Sequence, residues 1–371
     1  MIWNIGIVGF GHVGQGFARV LMEKREYLRR KYDFRYKIVG IVDRSKGSIY
    51  RENGLPLKRV IKEVEEKGEF VSYLQRMSVE DLIKSGNLDI LVEAIPTDVR
   101  TGEPSMRYLR IALENGVHAV TTNKGSIARG YRELKKIADR NGVLLKFEGT
   151  VLSGTPSINL MRDALAGCEI TQIEGILNGT TNFILSMMER GLSFEEALHF
   201  AQEKGYAEKD PSGDVDGMDA AIKAVILANV IMDANISLED VSVEGICKIS
   251  SQDIKEALQQ GNKIKLIATL IKKGDEVAVN VRPEKISRDN LLYSVDGIEN
   301  ALLIHTDNLG RVFIRGPGAG GKETGQAVLS DVLAIHNHYF SRDLEPRIQA
   351  ALFPIFSEQF HLLHGTQNSF S

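Results

Sequence analysis

The chain has 371 residues, 43% hydrophobic and 26% charged, with a net charge of −3 at pH 7. That length points to two domains, and the composition supports a sizeable core. No basic block marks nucleic acid or an anionic membrane as the main partner, and two cysteines, Cys168 and Cys247, are too few for a disulfide framework.

The N-terminal run MIWNIGIVGFGHVGQG lacks the basic start and cleavage site of a signal peptide. The longest apolar run, AVILANVIM, is too short to span a membrane. Together with the cysteine usage, this predicts a cytoplasmic protein.

Taken in order, Asn4 to Val8 reads as a buried strand, followed by a glycine turn and a helix to about Arg30. Strands follow at 36–43, 87–95, 118–122 and 143–149, with helices at 105–115 and 130–142. Strands alternating with helices predict an α/β fold with a Rossmann-like, doubly wound parallel sheet. After Gly149 the texture changes. Segments 169–178, 276–286, 301–306 and 311–316 read as strands with long helices between them, a second, mixed α+β domain. From Tyr339 the pattern weakens, and the terminal HGTQNSFS reads as a frayed tail.

GFGHVG, Gly9 to Gly14, follows a strand and opens a helix, which is the context that gives G-x-G-x-x-G its meaning as a dinucleotide loop. Gly9 permits the tight turn, Gly11 admits a pyrophosphate, and Gly14 lets helix and strand pack. The helix N-terminus then stabilises the phosphate charge. His12 and Val13 fall within the loop, His12 as a spacer rather than a base. Asp43 ends the second strand, where an acidic residue accepts from the ribose hydroxyls of NAD; the adjacent Arg44 suits the extra phosphate of NADP. Having both leaves the choice open. Lys58 and Arg59 tilt it slightly toward NADP, unless they only decorate a solvated helix face.

The stretch GYAEKDPSGDVDGMDAAIKAVILANVIMD (205–233) contains a helix from Gly217 to Met232 whose only charges are Asp219 and Lys223, spaced i,i+4. An ordinary surface pair of this spacing belongs on a helix with a charged face. On a helix this apolar, the pair is either functional or costly. A lysine beside an aspartate at a cleft wall can give or take a proton. Glu208, Asp210, Asp214 and Asp216 precede the helix. They suit a substrate ammonium better than a metal, because the spacing of a calcium loop is missing.

This run resembles the signature of homoserine dehydrogenases, roughly G-Y-x-E-x-D-P-x-x-D-x-x-G-x-D-x-x-x-K. Gly205, Tyr206, Glu208, Asp210, Pro211, Asp214, Gly217, Asp219 and Lys223 meet its fixed positions. VTTNKGSIA (120–128), FEGTVLSGTPSI (147–158), GILNGTTNFIL (175–185) and GPGAGGKETGQAVLSDV (316–332) resemble further family segments in the same order. The resemblance covers about residues 1–335. It departs at TTNK for T-A-N-K, at LSGTP, and at Gly325, where the family usually has alanine and where the change opens the helix start.

The resemblance implies reversible NAD(P)-dependent interconversion of L-aspartate 4-semialdehyde and L-homoserine, on the route to threonine, methionine and isoleucine. It implies that Glu208 and Asp214 hold the substrate ammonium, helped by the backbone of Asn178, Gly179 and Thr180. Asp219 positions the reacting oxygen's proton network. Lys223 is the proton donor with Lys124 beside it, and the sequence leaves open which lysine transfers the proton. Thr97, Lys124, Gly318 and Gly320 join the cofactor cleft. A monovalent cation, sodium or potassium, is implied at Glu148, Val151, Ser153 and Thr155, mostly through backbone oxygens. The implied organisation is a dinucleotide-binding domain (1–149, with about 316–340 returning to it), a substrate-binding and dimerisation domain (150–315), and a tail (341–371). A homodimer is implied, in a short form without a C-terminal regulatory domain and hence without threonine feedback through one. Aspartate-semialdehyde dehydrogenase, which needs a thiolate, and a dinucleotide sensor without turnover are the competing readings.

Overall fold

A computed structural model of the chain describes residues 1–340; the expected tail, 341–371, lies outside the described residues. The described residues divide into a compact unit, 1–331, and the start of a second unit at residue 332. Both sheets and the whole candidate site belong to the first; of the second, residues 332–340 are described and are helical.

The first sheet is built from β1 (Trp3–Val8), α1 (His12–Tyr32), β2 (Tyr36–Asp43), β3 (Gly47–Tyr50), α2 (Leu57–Lys67), α3 (Val79–Lys84), β4 (Ile90–Glu93), α4 (Ser105–Glu114), β5 (His118–Thr121), α5 (Lys124–Arg140) and β6 (Leu145–Lys146). Its strand order is β3-β2-β1-β4-β5-β6, parallel except for β3. The crossover helices bury β4 and β5 along their whole lengths, including the polar Glu93 and Thr121 at their C-terminal ends.

Three differences from the sequence expectation have local causes. β3 was not expected. It returns antiparallel because the Asp43 carboxylate accepts from the Ser45 and Lys46 amides, closing a tight turn that Gly47 completes at φ 90°. The helix expected at 130–142 starts at Lys124, because the Asn123 side chain caps it by accepting from the Ser126 amide at 3.2 Å. The strand expected at 87–95 shortens to Ile90–Glu93, where the Ile95 amide turns back onto the Glu93 carboxylate.

The second sheet is built from β7 (Ile170–Ile176), α6 (Gly179–Met188), α7 (Phe194–Glu203), α8 (Ser212–Val215), α9 (Met218–Ile231), β8 (Ser242–Val243), α10 (Ser251–Gln259), β9 (Asn262–Lys273), β10 (Glu276–Ser287), β11 (Glu299–Thr306) and β12 (Gly310–Pro317). Its order is β12-β11-β7-β9-β10-β8, antiparallel but for the β8–β10 pair. β9 was not expected, because its middle, IKLIATLI, is a nearly continuous apolar run without a clear period of two. It carries the sheet, pairing along its full length with β10.

Every residue of α9 from Ala220 to Val230 is buried. The helix lies between α5 of the first sheet's layer and strands β9 and β10 of the second. Its charged pair is therefore enclosed rather than displayed, and its limits match the Gly217–Met232 expectation closely. Gly217, at φ 86°, provides the left-handed entry.

Candidate active site

A cleft of about 1410 Å³ lies at the C-terminal ends of β1, β2 and β4, where a doubly wound sheet places its ligand. The glycine loop forms one wall. A side chain at Gly9 (φ 88°) would strike the Ala94 carbonyl at 2.5 Å, and one at Gly14 would strike the Gly9 carbonyl at 2.2 Å. A side chain at Gly11 would meet nothing within 4 Å. Gly9 and Gly14 are thus glycine for packing, while Gly11 leaves space beside the N-terminus of α1 for an approaching phosphate. His12 and Val13 line the cleft with Gly11, and Thr97 lines it from the opposite loop; Gly14 is buried behind them.

Asp43 and Arg44 line the cleft, joined by Ser45 and Lys46, which the sequence reading overlooked. Asp43 is already engaged: its carboxylate accepts from the Phe10 amide at 2.7 Å and from the Ser45 and Lys46 amides and the Ser45 hydroxyl at 2.9 Å. Burial alone would raise its pKa, but these donors together hold it below the ordinary carboxylate value. Asp43 therefore ties the glycine loop to the β2–β3 turn. Lys58 and Arg59 do not reach the cleft. Arg59 donates to Glu63 at 3.0 Å and covers the Tyr73 ring, so the solvated helix face is the correct reading of this pair.

Gly318 and Gly320 line the cleft from the other side. Gly325 is a correction. It does not open the helix start, because a side chain there would meet the Phe17 amide nitrogen at 2.5 Å. Glycine lets the helix that begins at residue 321 press against α1.

The charged pair of α9 sits at the inner end. Asp219 accepts from Lys124 Nζ at 2.5 Å through one oxygen. Its other oxygen accepts from Lys223 Nζ at 2.6 Å and Asn178 Nδ2 at 2.9 Å. Lys223 also donates to the Leu177 carbonyl at 2.7 Å. The two lysines differ in exposure, 8% of the side chain for Lys223 and 28% for Lys124. Both border the cleft. Burial would raise the Asp219 pKa, but the two ammoniums outweigh it and keep the carboxylate ionised. Asp219 raises Lys124, whereas burial lowers Lys223 despite Asp219 beside it.

Asn178 is the hub of this cluster. It caps α6 by accepting from the Thr181 amide at 2.8 Å, and its amide group donates to both Asp219 and Asp214, the latter at 2.7 Å. An asparagine ahead of an apolar helix is itself a capping signal. Gly179 and Thr180 form the first turn, and the Thr180 hydroxyl donates to the Tyr206 carbonyl at 2.8 Å. Burial, and then Asp219, raise the Asp214 pKa. Glu208 is exposed but near enough to help raise Lys124. Asp210 and Asp216 do not join the receptor expected from the four carboxylates. Asp210 accepts from the Ser212 amide at 3.1 Å, and Asp216 is exposed beside Cys247.

The loop read as a cation site is folded against the returning chain. The Glu148 carboxylate is spent on the amides of Ser157, Ile158 and Asn159, so only its backbone remains to serve a cation. Val151 and Ser153 line the cleft, and Ser153 takes a left-handed φ of 54°. Its hydroxyl meets that of Thr324 at 2.6 Å, and Thr155 donates to the Pro317 carbonyl at 3.1 Å. No group of three or more His, Cys, Asp or Glu side chains placed to hold a metal occurs among the described residues. Neither cysteine lines the cleft, and burial and Asp216 raise the Cys247 pKa, the wrong direction for a thiolate nucleophile. No helix among the described residues is long and apolar enough to cross a membrane.

Comparison with known proteins agrees with this geometry. Residues 9–148 match the family profile described as homoserine dehydrogenase, NAD binding domain, and residues 156–333 match that described as homoserine dehydrogenase. The chain is 42% identical over 339 residues to the NAD(+)-dependent homoserine dehydrogenase of Pseudomonas canavaninivorans, covering 90% of this chain and 96% of that one. It is also 42% identical to the homoserine dehydrogenase of Methanocaldococcus jannaschii, covering 90% and 98%. A homoserine dehydrogenase structure from Thiobacillus denitrificans superposes with a TM-score of 0.81 at 30% identity, covering 92% of this chain and 74% of that one. A hyperthermophilic archaeal homoserine dehydrogenase mutant in complex with NADPH gives 0.78 at 33% identity, covering 90% and 97%. The chain belongs to the homoserine dehydrogenase family.

Proposed function

We propose that Lys223, paired with Asp219 and flanked by Lys124, moves the proton in the reaction this chain catalyses, the reversible NAD(P)-dependent interconversion of L-aspartate 4-semialdehyde and L-homoserine. The observation that carries the assignment is the unequal environment of the two lysines on one carboxylate. Burial lowers the Lys223 pKa, the direction that favours giving up its proton, and its ammonium lies 2.6 Å from Asp219 at the cleft wall. Lys124 is raised by Asp219 and stays charged. In the reductive direction, Lys223 gives a proton to the oxygen of the aldehyde as it becomes an alcohol. In the oxidative direction, the neutral amine takes the hydroxyl proton. Lys124 stabilises negative charge on that oxygen.

A nicotinamide dinucleotide, when bound, supplies or accepts the hydride. The open space over Gly11 and the α1 N-terminus fit its pyrophosphate. Gly9, Gly11, His12, Val13, Thr97, Gly318 and Gly320 would form its walls, with Gly14 packed behind them. The cofactor cleft favours NADP slightly over NAD. Asp43 already accepts four hydrogen bonds, while Arg44 and Lys46 bring positive charge to the cleft edge.

Asp214 and Glu208 receive the substrate ammonium. Asp214 is a carboxylate raised by burial, and a cation arriving there would restore its ordinary ionisation. The first turn of α6, from Asn178 through Gly179 and Thr180, supports the same end of the substrate. A sodium or potassium ion held by backbone oxygens of Glu148, Val151, Ser153 and Thr155 would stiffen the loop between the two sheets. Replacing both ions with tetramethylammonium should then lower turnover, and unchanged turnover would remove the site.

We assign the cofactor to residues 1–149 with the returning chain from 316, and substrate and dimer contacts to 150–315. The assembly proposed is a homodimer joined through strands of the second sheet, where β12 ends the sheet with most of its length partly or fully exposed. Solution sizing tests it. A cytoplasmic location fits this metabolic role.

The test is oxidation of L-homoserine followed at nicotinamide absorbance, with NAD and NADP in parallel, for the wild type, Lys223→Ala and Lys124→Ala. Loss of turnover in Lys223→Ala with dinucleotide binding intact supports the assignment. Wild-type turnover in that variant sinks it.

A further inference from the structure

We propose that Thr121, held by the buried carboxyl group of Glu93, is a positioning residue for Lys124. Glu93 ends β4, Thr121 ends β5, and the two are directly paired in the sheet. Glu93 is fully buried, one residue before Ala94 of the cleft wall, and among the described residues no lysine or arginine bonds to it. One of its oxygens accepts from the Ser105 hydroxyl and the Thr121 hydroxyl, both at 2.5 Å. The other accepts from the Ile95 amide at 2.8 Å.

The chain of contacts continues toward the reacting group. Having donated to Glu93, the Thr121 hydroxyl accepts from the Asn123 amide at 3.0 Å. Asn123 caps α5, and its side-chain amide donates to the Pro96 carbonyl at 3.3 Å. The next residue is Lys124, the first of α5, whose ammonium is 2.5 Å from Asp219 on α9. A lysine side chain reaches several rotamers, so its ammonium is only as well placed as the backbone that carries it. Here that backbone is fixed by a hydroxyl lying between a buried carboxyl group and the helix cap. Ser105 and Ile95 draw α4 and the Thr97 loop onto the same carboxyl group, so one buried group sets both the lysine and part of the cofactor wall.

The inference rests on Lys124 acting on the reacting oxygen, and the test separates the two. Thr121→Val keeps the shape and removes the hydroxyl; Thr121→Ser returns it. In Thr121→Val, kcat for homoserine oxidation should fall roughly tenfold to a hundredfold, about the cost of ~1 Å of misplacement, with KM for the dinucleotide nearly unchanged. Thr121→Ser should recover most of the rate. In a Lys124→Ala background, Thr121→Val should add almost nothing, because the group it positions is gone. Glu93→Gln reaches the same hydroxyl from the other side and should repeat the fall in kcat and its disappearance in the Lys124→Ala background if valine disturbs folding, with a rise in dinucleotide KM beside it because Ile95 hangs on the same group. An equal further loss in the Lys124→Ala background, or a wild-type kcat in Thr121→Val, would overturn the proposal. If Lys124→Ala itself turned over at the wild-type rate, the role given to Lys124 would fail first and this inference with it.

Discussion

Substituting Asp219 and Lys223 separately should have unequal consequences for stability, and the contrast tests whether the pair is there for chemistry or for stability. Asp219→Asn preserves shape and removes the charge between two ammoniums. Removing one partner of a buried ion pair typically costs about 3–5 kcal/mol. Lys223 is nearly enclosed and keeps only the Leu177 carbonyl and the Asn178 neighbourhood, while Lys124 is 28% exposed and can turn to solvent. The expected cost is therefore near the lower limit, about 3 kcal/mol at pH 7. It should shrink as pH rises. Burial already lowers the Lys223 pKa, and losing Asp219 lowers it further. The unfolded chain then holds more protons than the folded one between that lowered value and the ordinary lysine value of about 10.4, so stability rises with pH across this window. Lys223→Met fills the same space without a charge and leaves Asp219 paired with Lys124 and Asn178. It should cost clearly less than Asp219→Asn, because Asp219 keeps the Lys124 ammonium and Asn178 and no buried charge is left without a partner. It should nevertheless abolish most turnover. Urea denaturation at pH 7 and 9 with homoserine oxidation measures all of this. The reasoning is refuted if Lys223→Met destabilises as much as Asp219→Asn, or if it retains turnover.

Other expectations are independent of that pair. Gly14→Ala should abolish dinucleotide binding or folding, because its methyl group would lie 2.2 Å from the Gly9 carbonyl; calorimetry with NAD and NADP reports it. Arg44→Ala should weaken NADP relative to NAD by about tenfold or more, the worth of a charge-assisted hydrogen bond of roughly 1.5–3 kcal/mol; an unchanged ratio of Kd values would take Arg44 out of cofactor selection. Asp214→Asn should raise KM for homoserine well above its effect on KM for the dinucleotide, and equal effects on both would remove it from the ammonium site.

The glycine pattern was legible because its meaning is local. A strand, a turn with one open glycine and a helix start are all written within a dozen residues, and the structure places them as read. α9 was legible for a similar reason: apolar positions on every side with one charged pair leave few environments for such a helix. The carboxylate run shows where local reading stopped. Four acids in nine residues look alike in sequence, yet Asp214 turns inward to Asn178 while Asp210 only closes a turn and Asp216 faces solvent. Gly325 looked like a loosened helix start and proved to be a backbone contact with α1, far away in the chain.

The sequence by itself determined the dinucleotide loop, the charged pair, the family and the type of most elements, strands β3 and β9 excepted, because each rests on periodicity, turn chemistry or ordered motifs. Only the tertiary structure decided that Lys124 and Lys223, 99 positions apart, share one carboxylate. It also decided that Asp43 is consumed by the glycine loop and that Glu93 stands behind Thr121. Partner choice among buried polar groups depends on which strand and helix ends the fold brings together. A hydrogen bond is satisfied by proximity in space, and spacing along the chain does not encode that proximity.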